Sequence, residues 1–287
     1  MNKPKAIVIT YVILRALVLI VMVLAILNRQ WYNVFLCLLT LLLFLLPSFV
    51  SHQLKIQLPG ALEIIILLFI FAAEVLGEIG EFYVKLSHWD TILHTVNGFL
   101  MAAIGFSLID VLNRDPHVRM SMSPFFVAFA AFCFSMTIGV LWEFFEYAMD
   151  RIFLMDMQKD AIVQTVSSVA LHPDGANVPV VLRGVTETVI RSVSAGETVV
   201  SGGCLDIGIR DTMADLLVNC VGALVFSVLG VLYLKNRGRL AQAFIPRLMT
   251  EEQLHALEAE NRARALHRIK RLRRHDSEKG APSGKNH

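Results

Sequence analysis

Charge is what this sequence has least of. Only 17% of its 287 residues are Asp, Glu, Lys or Arg, 55% are hydrophobic, and the mean hydropathy is +0.60. Soluble domains carry about 25% charged and about 45–50% apolar residues, so a water-soluble globular enzyme is excluded first. Disulfide chemistry goes next: of four cysteines, Cys37, Cys133 and Cys220 sit inside apolar runs and only Cys204 lies in a polar stretch, which makes no disulfide framework. A Walker motif, a dinucleotide fingerprint, GxSxG and HExxH are all missing, so the enzyme classes built on them lose support. Neither an internal repeat nor a small-residue cleavage site after Leu27 is found, and the first apolar run reads as retained rather than as a signal peptide.

What is present is a set of six apolar runs: Ile7 to Leu27, Val34 to Val50, Leu62 to Leu76, Ile92 to Val111, Phe125 to Tyr147 and Thr212 to Leu234. A helix rises about 1.5 Å per residue and a hydrocarbon core is about 30 Å thick, so each run with its flanks can cross. The expected fold is an all-α polytopic membrane protein with six transmembrane helices. Its expected organisation is an N-terminal two-helix hairpin (1–56), a four-helix core (57–149 and 211–234), an extracytoplasmic loop (150–210) and a tail (235–287). The loop alternates Val/Thr/Ser-rich stretches, Ala161 to Leu171, Pro179 to Val193 and Glu197 to Val200, with turn residues at His172-Pro173-Asp174-Gly175 and Ala195-Gly196, a pattern of short strands.

The formal net charge of +2 conceals an asymmetry. From Lys235 onward there are 13 Lys+Arg against 6 Asp+Glu; the rest of the chain has 13 against 18. Basic residues collect on the cytoplasmic side, which places both termini in the cytoplasm of a bacterial plasma membrane, with Lys3, Lys5, Lys55, Arg114, Arg119 and the tail inside. Arg29, in an outer loop, runs against this rule, and Arg15, inside the first run, must snorkel or pair. Thr250 with Glu251 and Glu252 marks a helix start in the tail. The basic run Arg262, Arg264, Arg268, Lys270, Arg271, Arg273 and Arg274, with Leu254, Leu257, Leu266 and Ile269 as an apolar side, suits anionic inner-leaflet lipids better than nucleic acid.

Ionisable residues inside membrane helices are expensive, so their positions carry information. On this topology they gather at the outer ends of four helices: Glu74, Glu78 and Glu81 on the third, Asp90 and His94 on the fourth, Glu143, Glu146 and Asp150 on the fifth, and Asp211 and Asp215 on the sixth. Spacings of three and four keep each set on one helix face. Three cations, Lys85, Arg151 and Arg210, lie nearby in sequence against nine carboxylates. Packed with little water, such groups must take up protons, pair or hold a metal. Oxygen-rich ligand sets with one imidazole suit divalent metals, and facing bundle helices are a known way to build them. The expected ligands are Asp90, His94, Glu143, Asp211 and Asp215, with Glu146 or Glu78 as general base. Glu81 and Asp150 read as solvated helix ends, and Glu63 as an end residue compatible with the helix dipole. Asn97, Gly98, Asn219 and Gly222 read equally well as close helix contacts.

The strings Trp89-Asp90-Thr91-Ile92-Leu93-His94, Gly98-Phe99, Trp142-Glu143-Phe144-Phe145-Glu146 and Asp211-Thr212-Met213-Ala214-Asp215, with Asn219 and Gly222, resemble the signature of the YjdF-like bacterial inner-membrane proteins, a family of unknown function. More distantly, the Asp/His pair, the Glu on a middle helix and the Arg210-Asp211 to Gly222 ending resemble VanZ-like proteins, which are linked to glycopeptide-antibiotic resistance; Glu146 stands where their pattern often has Gln. The resemblance covers roughly residues 60 to 235, without the first two helices or the tail, and implies no mechanism. The functional expectation is a divalent-metal site at the outer leaflet that acts on or binds a lipid-linked or cell-envelope substrate, as in a membrane hydrolase. A proton- or cation-coupled transporter and a non-catalytic envelope-stress or assembly factor are the alternatives.

Overall fold

The computed structural model describes residues 4–53, 55–114, 122–236, 244–255, 259 and 262. Six helical stretches are long and apolar enough to cross a membrane: Lys5–Leu27, Trp31–Gln53, Gly60–Ile79, Trp89–Asp110, Pro124–Phe153 and Ile209–Lys235. All six apolar runs are thus helical. Each span carries large exposed apolar side chains, among them Leu17, Leu42, Leu68, Ile92, Phe129 and Leu224. That is how a protein solvated by lipid, not water, presents its surface. The chain is an integral, multi-pass membrane protein.

It divides into two compact units, Met1–Phe71 with Gln242–His287, and Ala72–Ala241. In the first, α1 (Lys5–Leu27) packs against α2 (Trp31–Leu43) and α4 (Gly60–Phe71). The second span is broken between α2 and α3 (Leu46–Gln53). Pro47 accounts for the break: it has no N–H to donate, and its ring meets the carbonyl four residues back, at Leu43, where α2 ends. Glu63 lies in the first turn of α4, the dipole-compatible helix end expected of it. It is 6% exposed and accepts a hydrogen bond from the Tyr11 hydroxyl at 3.1 Å. After α3 the short strand β1 (Ile56–Gln57) pairs with β8 (Arg247–Leu248), so the start of the tail is held by the connection between the second and third spans. Thr250 then opens a helical turn through a reciprocal cap: Gln253 N donates to Thr250 Oγ1 and Thr250 N to Gln253 Oε1. Of the tail's basic run, only Arg262 is among the described residues.

In the second unit, after the short α5 (Phe82–Lys85), α6 (Trp89–Arg114), α7 (Pro124–Phe153) and α8 (Ile209–Asn236) pack mutually. Ser123 caps α7 by accepting from Phe126 N, with Pro124 at the first helical position. Phe106 and Phe226 are fully buried and meet edge-to-face, with Phe99 against Phe226 in the same way. Toward the site the packing becomes polar and very close. Asn97 Nδ2 donates to Asn219 Oδ1 at 3.2 Å, and Ser135 Oγ donates to the Gly98 carbonyl at 2.8 Å. A β-carbon on Gly98 or Gly222 would collide with the backbone oxygens of Asn219 and Thr95. The expectation that these amides and glycines are helix contacts holds.

The 150–210 connection forms three antiparallel pairs: β2 (Ala161–Val163) with β7 (Cys204–Asp206), β3 (Thr165–Ser168) with β4 (Val180–Arg183), and β5 (Glu187–Ser192) with β6 (Gly196–Ser201). The expected turns separate the strands, and Gly196 takes the left-handed φ of +70° that a hairpin turn requires. All four cysteines are free thiols.

Candidate metal centre

The polar ends of α6, α7 and α8 converge within the second unit. Asp90 enters in the first turn of α6 and His94 follows one turn later, with His94 Nε2 3.5 Å from Asp90 Oδ1. The other ring nitrogen faces α7, with Nδ1 4.0 Å from Glu143 Oε1. Two groups of prospective ligand atoms result, each within 4.8 Å of one another: Asp90, His94 and Asp215, and His94, Glu143 and Glu146. Both are capable of holding a metal ion, and His94 is common to them.

Burial makes the arrangement demanding. Glu143 is 4% exposed and Asp215 3%, and each has a buried oxygen, Glu143 Oε1 and Asp215 Oδ2, without a hydrogen-bond partner. Native structures satisfy nearly all such atoms, and each exception calls for an explanation, an ion being one. Two other oxygens of the cluster have partners. Glu146 Oε1 accepts the Trp142 indole N–H at 2.9 Å, and Glu143 Oε2 faces Gln158 Nε2 at 3.5 Å.

Of the seven residues expected in the site, five come together: Asp90, His94, Glu143, Glu146 and Asp215. Asp211 belongs to neither group; its Oδ2 accepts the backbone N–H of Lys159 at 2.7 Å. Glu78 is exposed. The segment Ala72–Ile79 is a π-helix, closed by Gly80 N donating to the Val75 carbonyl; Glu74 and Glu78 stay near one another, as their spacing of four implies, but neither joins the two ligand groups. Glu81 lies beyond the span, in a left-handed conformation, and pairs with exposed Lys85 at 2.9 Å.

Three residues of the site were not visible as such in the sequence. Gln158, from the loop, reaches Glu143 and donates to Thr212 Oγ1 at 2.6 Å; its own N–H and that of Met157 are held by the Asp150 carboxylate. Lys159, whose ammonium pairs with Asp156 at 3.5 Å, is also close enough to act on Glu78, Asp90 and Asp211. Of the three cations expected nearby, Lys85 is taken by Glu81, and Arg151 lies over the Tyr147 ring at 5.4 Å. Tyr83 stands among Asp90, Glu78, Glu74 and Glu146, and burial together with these carboxylates holds its hydroxyl well above the usual phenol range. It therefore remains a protonated donor. Lys159 and Gln158 reach the site only because the loop folds back over it, and proximity of that kind leaves no periodicity to read.

The opposite half of α6 and α8 is not purely apolar. Ser107, Asp110 and Ser227 are buried there, beyond the Phe99–Phe106–Phe226 layer.

Comparisons with known proteins agree with the fold. No curated protein and no solved structure matches the chain. The family described as "Predicted membrane protein (DUF2238)" matches residues 9–236. That range takes in the first two spans, which the expected resemblance left out, and all of the convergent acids. The family agrees with the YjdF-like resemblance; the VanZ-like likeness has no counterpart in these matches. The chain belongs to the DUF2238 family of predicted membrane proteins.

Proposed function

We propose that this protein holds a divalent metal ion at the end of its membrane-spanning helices that faces the cell envelope, and uses it on a lipid-linked or envelope substrate. The carrying observation is that His94 is shared by two groups of acids close enough to hold an ion, and that Asp215 Oδ2 and Glu143 Oε1, one in each group, are buried without a hydrogen-bond partner. Asp90, His94 and Asp215 are the ligands. Ligand atoms about 2.1 Å from one ion lie about 3–3.5 Å apart, and Asp90 Oδ1 and His94 Nε2 are 3.5 Å apart. Glu143 then serves the far nitrogen of His94, the usual place of a carboxylate that orients a ligating imidazole. Asp211 helps to hold the loop, and Glu146, with Glu78 at the margin, is the candidate base. A bound divalent ion supplies Lewis acidity and activates water toward a phosphoester or similar bond. Tyr83 contributes a protonated hydroxyl donor, and Lys159 a cation at the mouth.

Elemental analysis of the purified protein tests this reading. About one divalent ion per chain is expected in the wild type, with loss in Asp215→Asn; a metal-free wild type that takes up none on dialysis against Mn2+ or Zn2+ sinks it. Lys159→Met removes a competing positive charge and is expected to raise metal affinity about fivefold at low salt, read by titration calorimetry; unchanged affinity would remove Lys159 from the site's electrostatics.

A cation- or proton-coupled transporter is the second reading, favoured by Asp110, which lies twenty residues, about 30 Å of helix, from Asp90 on the same α6. Between them stands the buried aromatic layer of Phe106 and Phe226, and that layer favours a site open to one side. Ion flux in liposomes separates the two.

A further inference from the structure

The first unit contains a polar arrangement that the metal centre does not use. Arg15 lies ten residues into α1, about 15 Å of helix from Lys5, and its side chain is exposed on a span of apolar residues. It bends back one turn so that the guanidinium sits 5.0 Å from the centre of the Tyr11 ring. Tyr11's hydroxyl is engaged elsewhere, donating to Glu63 Oε1 at 3.1 Å and hydrogen-bonded by Ser48. The aromatic face stabilises the charge but offers no acceptor to the five N–H donors of the guanidinium. No hydrogen bond or ion pair joins Arg15 to another described residue. A pocket of about 270 Å3 opens beside it, lined by Val8, Tyr11, Val12, Arg15 and Ser48.

A cation exposed on the lipid face of a membrane helix is costly unless an anion or water reaches it. We propose that this pocket binds a phospholipid, with Arg15 on the phosphodiester. Charge complementarity selects the phosphate: it is the anion that a bilayer always supplies, and the guanidinium fork matches its oxygens. Ser48 offers a further polar edge on the far wall. The lipid would be drawn inward toward the guanidinium, a local thinning of the kind that intramembrane arginines induce.

Native mass spectrometry of the full chain in detergent, titrated with phosphatidylglycerol, phosphatidylcholine or diacylglycerol of the same acyl chains, tests the proposal. One tightly held phosphatidylglycerol is expected, with diacylglycerol, which lacks the phosphate, bound at least about tenfold more weakly. Arg15→Gln is expected to lose the same factor and Arg15→Lys to recover part of it. Equal retention of phosphatidylcholine supports recognition of the phosphodiester itself. Ser48→Trp, which fills the pocket while keeping the charge, must also expel the lipid, so the idea stays testable if Arg15→Gln folds poorly. Lipid counts unchanged in Arg15→Gln or Ser48→Trp, or diacylglycerol bound as tightly as phosphatidylglycerol, overturn it.

Discussion

Gly222→Ala is expected to destabilise the protein by about 3 kcal/mol or more, at the upper end of what overpacking a well-packed interior costs. The β-carbon would meet not a flexible side chain but the carbonyl oxygen of Thr95 on α6. Backbone cannot swing aside, so α6 and α8 must separate or shift in register. Gly98→Ala creates the reciprocal collision with the Asn219 carbonyl on α8. The two glycines lie on opposite sides of one contact, and once one methyl has forced the helices apart the second has less left to disturb. The double variant should therefore cost clearly less than the sum of the singles. Thermal unfolding in detergent measures this, and a Gly222→Ala protein with wild-type Tm and expression would show that the helices do not approach so closely. The consequence reaches the site as well. Asp90 and His94 ride on α6 and Asp215 on α8, so the same separation opens the ligand group and should weaken metal binding in step with stability.

The spans were legible because lipid leaves so simple a mark: charges are sparse for about twenty residues at a time. Where a span is irregular the mark fails. Pro47 sits inside an apolar run, yet it divides the second span into α2 and α3. Nothing in Ala72–Ile79 announces a π-helix, because a one-residue slip in hydrogen bonding leaves hydrophobicity unchanged. The site's core was legible for a related reason. Buried acids stand out where so few charges occur, and Asp90, His94, Glu143, Glu146 and Asp215 do converge. Their neighbours from connecting segments, Tyr83, Gln158 and Lys159, are ordinary residues in polar sequence, and only the fold gives them meaning. Asp110 was passed over inside an apolar run, where its burial had to be seen to count.

His94→Ala is expected to abolish divalent-metal binding, since one imidazole serves both ligand groups. Substitutions at the carboxylates then locate the ion. If it sits with Asp90 and Asp215 at Nε2, Asp215→Asn loses more than about 100-fold in affinity, beyond the 10–100-fold typical of a partner that only orients a ligand. Glu143→Gln, which orients His94 through Nδ1, falls within that 10–100-fold range. Glu146→Gln stays near the wild type, because Glu146 already accepts from Trp142. An ion on the opposite side of His94 reverses the order, with Glu143→Gln the most severe. Small and equal losses at every position would mean that the cluster binds no metal. Stability supplies an independent check. Asp215→Asn replaces one of several crowded buried carboxylates by a neutral isostere, so the metal-free variant should unfold at or above the wild-type Tm. The wild type alone should then gain stability when Mn2+ is added, by the amount its affinity dictates. A purely structural cluster has no reason to separate these two responses, and a ligand set has.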